Sequence, residues 1–455
     1  MIEKPKVLLV PGYYSSIEKG CMDNYLADAR KMLEGIGVEH VETSPLSDLE
    51  SSRTIASHLR KHECDAVLLY LISWVDTNVV VDLLGSLRDK QIIIWSTDYF
   101  DSGGRKSHWG ALAGFLPIKG SLEQMGIRCA YLYGNADRKG LAAKLSDSID
   151  AARAVVQIRS SRIGMVGYTA LGMFPGMVNP LQVKEWFGTE IIPIDNYALI
   201  RLCETMLQDR TLTQQVESFG EKFHFVDPLS AKDERMCVAM TEAIRHLVAR
   251  HGLSAITVRC CFELATDFGF APCVPLSILS DECVSSCESD IPVTLSQLIL
   301  HDLTGKPSPY VDIIMMEDFR IYCSCCGFGA FEYAYRGDQR IAYSDVDEYR
   351  TELSFRRVIN HSRYQDGVYT LVRMNLPGKG TPHLQAILGE NRNDFDAFYE
   401  AGCKEYPSMG ILVKQETSLL LEKLGSQHFA LVEGDVVDKL KYFCKFMGIE
   451  MELFS

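Results

Sequence analysis

The sequence predicts an α/β protein in which two doubly wound domains precede a β-rich C-terminal domain. Short apolar runs alternate with amphipathic stretches through the first two thirds of the chain, which is typical of parallel sheets covered by helices on both faces. The pattern restarts near residue 160. After Gly305-Lys-Pro-Ser-Pro309 it changes to short strands separated by Gly, Asn and Asp turns. The predicted domains are therefore residues 1–159, 160–304 and 305–455.

The size and charge of the chain narrow its functional class. Its 455 residues are too many for one ordinary hydrophobic core. The net charge is −14 and there is no run rich in lysine and arginine, which argues against a nucleic-acid partner or an anionic membrane surface. The N-terminus enters a strand without a signal-peptide pattern, and no apolar run approaches the ~20 residues of a membrane helix. We therefore expect a cytoplasmic protein.

The elements of the first two domains follow from apolar periodicity. In the first domain we predict strands at 6–11, 67–71, 92–95 and 129–133, with helices at 23–36 and 138–158. In the second domain we predict strands at 162–167, 190–194 and 255–261, with helices at 200–218, 236–251 and 293–303. Ligands of such sheets bind beyond the carboxyl ends of the strands, and Glu263 lies at such a place.

The third domain is predicted from shorter signals. We expect strands at 311–315, 320–325, 367–374, 409–414 and 429–432, a helix at 435–447 and a final strand at 450–454. No period of 20–50 residues repeats along the chain. The similarity of the first two domains is therefore architectural.

The fifteen cysteines are expected to be reduced core residues, since a cytosolic protein seldom keeps disulfides. The segment Cys323-Ser-Cys-Cys326 contains one C-x-x-C pair. No second pair at zinc-ribbon spacing lies nearby, because Cys283 and Cys287 are separated by three residues. A structural zinc or iron–sulfur site is therefore the less favoured alternative.

Two carboxylates and a late histidine form the chief candidate site. Glu263 follows an apolar strand, Glu288 lies beside a cysteine just before an apolar helix, and His428 comes about 140 residues later. Acidic side chains seldom remain in apolar surroundings without a partner. Two carboxylates and an imidazole that leave positions open would suit Mn²⁺, Mg²⁺ or a related ion.

Each of these residues also has a structural explanation. Glu263 could cap a helix or pair with Arg259. Asp290 precedes a helix and could act as its N-cap, which explains Glu288 less well. A lone histidine beside a strand, such as His428, is usually a satisfied structural residue. The patterns of dinucleotide, P-loop, nucleophile-elbow and zinc-protease sites are missing from the sequence, so a nucleotide cofactor is not expected.

The chain resembles the L-fucose isomerase and L-arabinose isomerase superfamily. The resemblance rests on the order of elements, on Arg162-Ile-Gly-Met-Val-Gly-Tyr followed by Gly172-Met-Phe174, and on the Glu, Cys-Glu-x-Asp and late-His set. It implies two Rossmann-like domains, a β-rich C-terminal domain and a manganese-dependent aldose–ketose isomerase, with Mg²⁺ or Co²⁺ as substitutes. By the same resemblance Glu263, Glu288 and His428 hold the metal, and the two glutamates also move the proton.

The resemblance also implies further site residues. Asp290 is the rival of Glu288 as the second ligand, and Asp312 lies roughly where the arabinose isomerases have an acidic residue on the approach to another histidine ligand. Both are possible metal ligands or residues that hold a ligand in place. A loop containing His108 and Trp109 would bind substrate in the site of a neighbouring subunit, which implies a homo-oligomer. Where many relatives have His-Cys-Gly this chain has Cys325-Cys326-Gly327, which places Cys326 against the substrate. That departure implies altered specificity, a cysteine in the site or lost activity.

The predicted activity is isomerisation of a pentose, a deoxyhexose or a modified hexose through an enediolate. The first alternative is a non-catalytic sugar-binding protein of the same fold, and the second is a redox enzyme built on the cysteines. The sequence leaves fucose, arabinose, a sugar phosphate and a sulfonated hexose open as substrates.

Overall fold

The computed structural model describes residues 4–14, 19–102, 104–260, 263–348, 353–378, 380–394 and 408–455. These residues form parallel sheets covered by helices, followed by a β-rich region, so the predicted fold class is confirmed. The chain divides into two compact units. The first is Met1–Gln157 with Asp438–Ile449, and the second is Ile158–Val437 with Glu450–Ser455. The predicted boundary near residue 304 lies inside the second unit, and the division into three domains remains a prediction.

The first unit is built on a parallel sheet of five strands in the order β2-β1-β3-β4-β7. Its strands are β1 Lys6–Gly12, β2 Glu39–Glu42, β3 Ala66–Leu71, β4 Ile92–Ser96 and β7 Cys129–Tyr133, with a small hairpin of β5 Phe100–Ser102 and β6 Arg105–Ser107. Its helices are Lys19–Gly35, Leu49–Leu59, Thr77–Gly85, Ala111–Gln124, Leu141–Ser160 and Val437–Met447. The central strands are buried on both faces, which explains their continuous apolar sequences.

The helix Val437–Met447 belongs to this first unit although it lies near the end of the chain. Lys439 Nζ lies 2.7 Å from Asp150 Oδ2, and Arg128 Nη1 donates a hydrogen bond of 3.2 Å to the carbonyl of Met447. These contacts attach the helix to Leu141–Ser160 and to the segment before β7.

The second unit begins with a parallel sheet of four strands in the order β12-β11-β8-β9. Its strands are β8 Arg162–Val166, β9 Glu190–Ile194, β11 Ala255–Val258 and β12 Val284–Cys287. The α-helices of this part are Pro180–Phe187, Asn196–Gln208, Leu212–Lys222, Ala231–His251, Glu263–Thr266, Cys273–Ser280 and Ile291–Thr304.

The rest of the second unit is mostly β. Its strands are β10 His224–Phe225, β13 Tyr310–Glu317, β14 Arg320–Ser324, β15 Arg340–Glu348, β16 Leu353–Asn360, β17 Gly367–Asn375, β18 His383–Asn391, β19 Ser408–Leu412, β20 His428–Glu433 and β21 Glu450–Phe454, and a short helix spans Thr417–Leu421. One sheet has the order β17-β20-β13-β14-β19-β18-β21, and a further β17–β18 pairing closes six of its strands into a ring. The other sheet has the order β10-β15-β16.

The helix Ile291–Thr304 joins the two main sheets of this unit. It is almost entirely buried, although six of its fourteen side chains are polar, and it packs on β11 and β12 as well as on β17 and β20. Its N-terminus therefore lies where the parallel sheet meets the antiparallel one.

Three local predictions differ from the structure. The predicted helix 200–218 is two helices, because Asp209 has an extended backbone (φ −75°, ψ 120°) and accepts a hydrogen bond from the amide of Thr211. The strand predicted to reach Cys261 ends at Val258, and Cys261 itself lies outside the described residues. His428 is the first residue of β20 and not part of a loop. No helix among the described residues combines the length and apolarity needed to cross a membrane.

Candidate active site

Glu288 and Asp290 lie at the carboxyl edge of the parallel sheet, immediately after β12. The amide of Glu288 donates to the carbonyl of Val258, at 2.8 Å, and the Glu288 carbonyl accepts from the amide of Ala170, at 2.9 Å. Glu288 and Ser289 both have left-handed backbones, with φ of 69° and 54°. Such conformations are costly for residues with a Cβ and are found where the surroundings hold them, often at functional sites. This turn is at the edge where parallel sheets bind ligands.

Asp290 has two roles, the helix N-cap and the support of His428. Its Oδ1 accepts a hydrogen bond of 3.0 Å from the amide of Val293, so the predicted N-cap is confirmed. Its Oδ2 lies 2.8 Å from His428 Nδ1 and 3.2 Å from Arg373 Nη1. Burial raises the pKa of Asp290, but Arg373 and His428 outweigh burial and hold that pKa below its ordinary value. The ionised carboxylate therefore orients the imidazole.

Arg373 is a site residue that the sequence analysis missed. It lies in the apolar strand β17 with its side chain 1% exposed. Besides Asp290, its guanidinium donates to the carbonyls of His428 and Pro175, each at 3.0 Å. The available signal was a charged residue within Leu371-Val-Arg-Met374, since a buried strand seldom contains a cation without a partner.

His428 reaches the other two carboxylates through its second ring nitrogen. Nε2 lies 2.9 Å from Asp312 Oδ1 and 3.4 Å from Glu288 Oε2. Both ring nitrogens therefore face carboxylate oxygens, an arrangement that favours the protonated imidazolium, with Nδ1 toward Asp290 and Nε2 toward Asp312 and Glu288. A histidine whose Nδ1 is held by a carboxylate is the usual arrangement of a metal ligand, and Nε2 would become available to a cation on losing its proton.

The cluster is closed on one side and reachable on the other. The side chains of Asp290 and His428 are each 1% exposed, whereas those of Glu288 and Asp312 are 10% and 21% exposed. Burial raises the pKa of Glu288 to about 8, against the opposing effect of His428, and burial also raises the pKa of Asp312. Burial lowers the pKa of His428, but the attraction of the three neighbouring carboxylates outweighs it and raises that pKa well above 6.5.

One imidazole and two carboxylates are a donor set whose chemistry fits a divalent cation. One of the carboxylate oxygens, Asp312 Oδ1, is buried without a hydrogen bond of normal geometry to any described residue. As the side chains lie, His428 contacts both acids directly, and no three His, Cys, Asp or Glu side chains of the described residues are grouped so as to hold a metal ion. The backbone of Glu263 begins the helix Glu263–Thr266, but its side chain lies outside what the structure describes.

Thiols line the neighbouring side of the cluster. The thiol of Cys287 lies 2.7 Å from the hydroxyl of Tyr310, whose ring packs edge-on against His428 at a centroid distance of 5.0 Å. Hydrogen bonds from Cys287 and Cys325, with help from the Arg357 guanidinium, hold the pKa of Cys326 well below its ordinary value. The negative charge of Cys326 contributes to the raised pKa values of Glu288 and Asp312. Cys326, which was predicted to contact the substrate, therefore borders the cluster.

His108 and Trp109 lie in the first compact unit, whereas all the residues of the cluster belong to the second. His108 is exposed, and its Nδ1 accepts a hydrogen bond of 3.1 Å from the amide of Gly110. The Trp109 ring stacks on Phe100 with a centroid distance of 4.8 Å. The predicted role of this loop in a neighbouring subunit's site remains a prediction.

The chain is similar to proteins named sulfoquinovose isomerase, and some of them align with its whole length. The one from Priestia aryabhattai is 24% identical over 472 aligned positions, which cover 100% of both chains. That from Alkalicoccus urumqiensis is 28% identical and covers 53% of this chain and 55% of its own. That from Clostridium sp. (strain MSTE9) is 22% identical over 80% of both chains. No family profile matches the sequence.

Solved structures resemble the chain only distantly. A solute-binding protein of an ABC transporter from Burkholderia multivorans covers 67% of this chain and 96% of its own, at 12% identity and a TM-score of 0.18. One from Actinobacillus succinogenes with bound D-allose also has a TM-score of 0.18, at 10% identity over 67% of this chain and 93% of its own. Likeness at this level bears on neither fold nor function.

Proposed function

We propose that the protein is an aldose–ketose isomerase that acts on a modified sugar, and specifically on a sulfonated hexose such as sulfoquinovose. The observation that carries the proposal is the gathering of three carboxylates around His428, with Glu288 and Asp312 on its more exposed side and Asp290 on its buried side. The names of the full-length relatives support the same activity and supply the substrate class.

We also propose a divalent cation, Mn²⁺ or its substitutes Mg²⁺ and Co²⁺, at this cluster. Glu288 and His428 Nε2 would hold it, with Glu263 as the third protein ligand and Asp312 within reach as an alternative. When bound, such an ion stabilises the negative charge that develops on the carbonyl and hydroxyl oxygens of the sugar. Asp290 would act through His428, because it fixes which ring nitrogen faces the ion.

The reaction moves a proton between C1 and C2 of an open-chain sugar. We propose Glu288 and Glu263 as the groups that take and return this proton. In the metal-free protein burial raises the pKa of Glu288 to about 8, and a bound cation would lower it and leave the carboxylate ionised to accept the proton. The half-buried Cys326 and its neighbours would exclude water from the reacting carbons.

The cation Arg357 favours a sulfonated substrate. It is 9% exposed, and its Nη1 donates a hydrogen bond of 3.2 Å to the carbonyl of Cys326, the residue that borders Glu288. A guanidinium binds sulfonate oxygens by charge-assisted hydrogen bonds. We propose that Arg357 meets the sulfonate while C1 and C2 lie at the carboxylates.

We further propose a homo-oligomer in which the His108 loop completes a neighbour's site. Exposed apolar side chains follow β8 and β9, close in sequence to the segment that packs on Glu288 and Asp290. They are Phe174 at 79%, Leu181 at 78%, Tyr197 at 69% and Tyr168 at 54% exposed. Large exposed apolar side chains in one region favour a contact with another chain.

The test of the function is ketose formation from sulfoquinovose by protein stripped with a chelator and then given Mn²⁺. We expect the ketose to form after addition of the metal and to require it. D-glucose, which lacks the sulfonate, should react much more slowly. No ketose from either sugar with Mn²⁺, Mg²⁺ or Co²⁺ would refute the proposal and favour a non-catalytic sugar-binding protein.

A further inference from the structure

A cleft between two helices of the second compact unit shares no residue with the carboxylate cluster. It lies between Leu212–Lys222 and Ala231–His251, with one residue of Cys273–Ser280 at its edge. Its volume is about 520 Å³. Small-molecule sites occupy ~300–1,000 Å³, so the space suits a ligand of a few rings. We call it the helix cleft.

The residues that line the helix cleft recur at helical spacing. On the first helix they include Gln214, Ser218 and Lys222, and on the second they include Val238 and Arg245. Residues spaced in this way lie on one face of a helix. The walls of the cleft are therefore two continuous helix faces. Secondary structure fixes these faces before a ligand binds, which lowers the entropy cost of binding one.

The buried lining of the helix cleft is aromatic. Phe219 and Phe223 are 5% and 7% exposed, and their ring centroids are 5.3 Å apart. The cluster continues to Phe225, 5.7 Å from Phe219, and to Phe331, 4.6 Å from Phe223. A flat ring would extend this cluster, because aromatic rings gain free energy both from burial and from offset or edge-on packing.

The exposed lining of the helix cleft offers uncharged hydrogen-bonding groups. Gln214, Gln215 and Ser218 are exposed, and their side chains form no hydrogen bond with the residues that the structure describes. Each glutamine amide has two donors and an acceptor, and the serine hydroxyl has one donor and two lone pairs. A ring that carries donors and acceptors along one edge would therefore find partners of both kinds.

The charged residues of the helix cleft already have partners. Arg245 Nη2 lies 2.8 Å from Glu282 Oε1, and Arg245 Nη1 contacts Glu242. Lys222 Nζ lies 5.0 Å from the ring centroid of Phe223, which is a cation–π contact. Two cations are thus balanced by two carboxylates. A further charge in the cleft would be desolvated without a counter-charge of its own, so these residues favour a neutral ligand.

We infer that the helix cleft is a ligand site for a small, neutral, planar heteroaromatic molecule. One face of the molecule would lie against Phe219 and Phe223. Its edge would exchange hydrogen bonds with the amides of Gln214 and Gln215. The inference does not depend on the proposed isomerase reaction, since the two sites have no residue in common.

The test is equilibrium dialysis of the full chain against adenine, lumichrome, indole and benzoate. Adenine and lumichrome are uncharged at neutral pH, carry donors and acceptors, and have two and three fused rings. We expect at least one of them to bind, and indole, whose edge has a single donor, to bind at least ~10-fold more weakly. Benzoate, a planar anion, should also bind more weakly.

Each probe can overturn one part of the inference. Indole that binds as tightly as the better heterocycle would overturn recognition of the ring edge. Benzoate that binds as tightly would overturn the preference for a neutral ligand. No binding of adenine or lumichrome would overturn the whole inference.

Variants locate the binding. Ser218→Trp fills space in the helix cleft and should raise the Kd of the bound heterocycle at least ~10-fold. Glu217→Trp is the matched control, because this neighbouring residue on the same helix is exposed and does not line the cleft, and it should bind as the parent does. Equal binding by the parent and Ser218→Trp would overturn the assignment to this cleft.

A second variant keeps the inference testable if tryptophan disturbs the fold. Replacement of both Gln214 and Gln215 by alanine changes only exposed side chains and should weaken the heterocycle more than it weakens indole. A merely structural role of the two amides would weaken both probes equally, and that result would overturn their assignment. An unchanged melting temperature would verify that the variants are folded.

A final variant separates the two sites. Glu288→Gln alters the carboxylate cluster and should leave binding in the helix cleft intact. If Glu288→Gln abolished the binding while Ser218→Trp preserved it, the heterocycle would occupy the carboxylate cluster and the second site would be refuted.

Discussion

Replacement of Asp290 by asparagine tests how the candidate site is held together. The carboxylate accepts from Val293, His428 and Arg373, and the side chains of Asp290, His428 and Arg373 are each 1% exposed. Asparagine retains an oxygen for the helix cap. Its neutral amide cannot accept hydrogen bonds from both cationic partners, so Arg373 becomes a buried charge without its carboxylate.

The expected loss of stability follows from that burial. Breaking a buried ion pair by removing one partner costs ~3–5 kcal/mol, whereas a lost cap alone costs ~1 kcal/mol. We expect Asp290→Asn to cost about 3 kcal/mol, since the cap survives. Arg373→Met should also destabilise the fold, and the double variant should cost less than the sum of the two by at least ~1 kcal/mol.

The assay is urea unfolding of parent and variants at neutral pH without metal, followed by circular dichroism and by fluorescence. Coincident transitions are required before free energies are compared, because the chain has two compact units. Asp48→Asn is the control, since Asp48 caps Leu49–Leu59 in an exposed position and its replacement should change little. A loss for Asp290→Asn no larger than for the control, or strictly additive effects with Arg373→Met, would refute the reasoning.

Four further predictions concern the proposed reaction. Glu288→Gln and Glu263→Gln should each lower turnover at least ~10²-fold with the fold intact, as measured by ketose formation and circular dichroism; near-normal turnover with saturating Mn²⁺ removes that residue from the mechanism. Metal-free protein should lose thermal stability as the pH rises from about 4.5 to about 8, because the folded state raises the pKa values of Glu288 and His428 and so retains protons that the unfolded chain releases. Added Mn²⁺ should stabilise the protein more at the upper pH. A melting temperature of the metal-free protein that does not change with pH contradicts this prediction. Arg357→Met should lower kcat/KM for sulfoquinovose at least ~10-fold more than for glucose, and an equal loss on both sugars indicates a structural role. Phe174→Asp should shift the molecular mass measured in solution toward that of one 51.1 kDa chain, and a parent that is itself a fully active monomer excludes the oligomer.

The fold was predictable where local sequence decides the structure. Three strands, Cys129–Tyr133, Glu190–Ile194 and Glu450–Phe454, have the predicted bounds. The strand Val284–Cys287 was missed because its sequence is Val-Ser-Ser-Cys, without an apolar run. Its serines are buried because other parts of the chain accept their hydrogen bonds, as the carbonyl of Leu276 does for Ser285. Periodicity carries no signal of such partners.

The candidate site was only partly predictable. Acidic residues near cysteines marked Glu263 and Glu288, the late histidine marked His428, and the resemblance to sugar isomerases added Asp312. Sequence spacing could not show that Asp290 binds Nδ1 of His428 while Glu288 faces Nε2. That arrangement depends on how the buried helix Ile291–Thr304 packs against both β12 and β20. Arg373 was missed for the same reason, since its partners come from distant segments.

The central claim is that the carboxylates of this site move a proton at C2 of a sulfonated sugar with the help of a divalent cation. The most direct measurement is the proton NMR signal of C2–H of sulfoquinovose in D₂O, with the parent and Glu288→Gln side by side. The account predicts that the C2–H signal of the aldose declines with the parent and Mn²⁺ as C2 becomes the ketose carbonyl, with deuterium entering C1 of the ketose and, on reversal, C2 of the aldose. Chelator-treated parent and Glu288→Gln should show this decline at least ~10²-fold more slowly. A C2–H signal that persists with the parent and Mn²⁺, or that declines equally fast with Glu288→Gln, would contradict it.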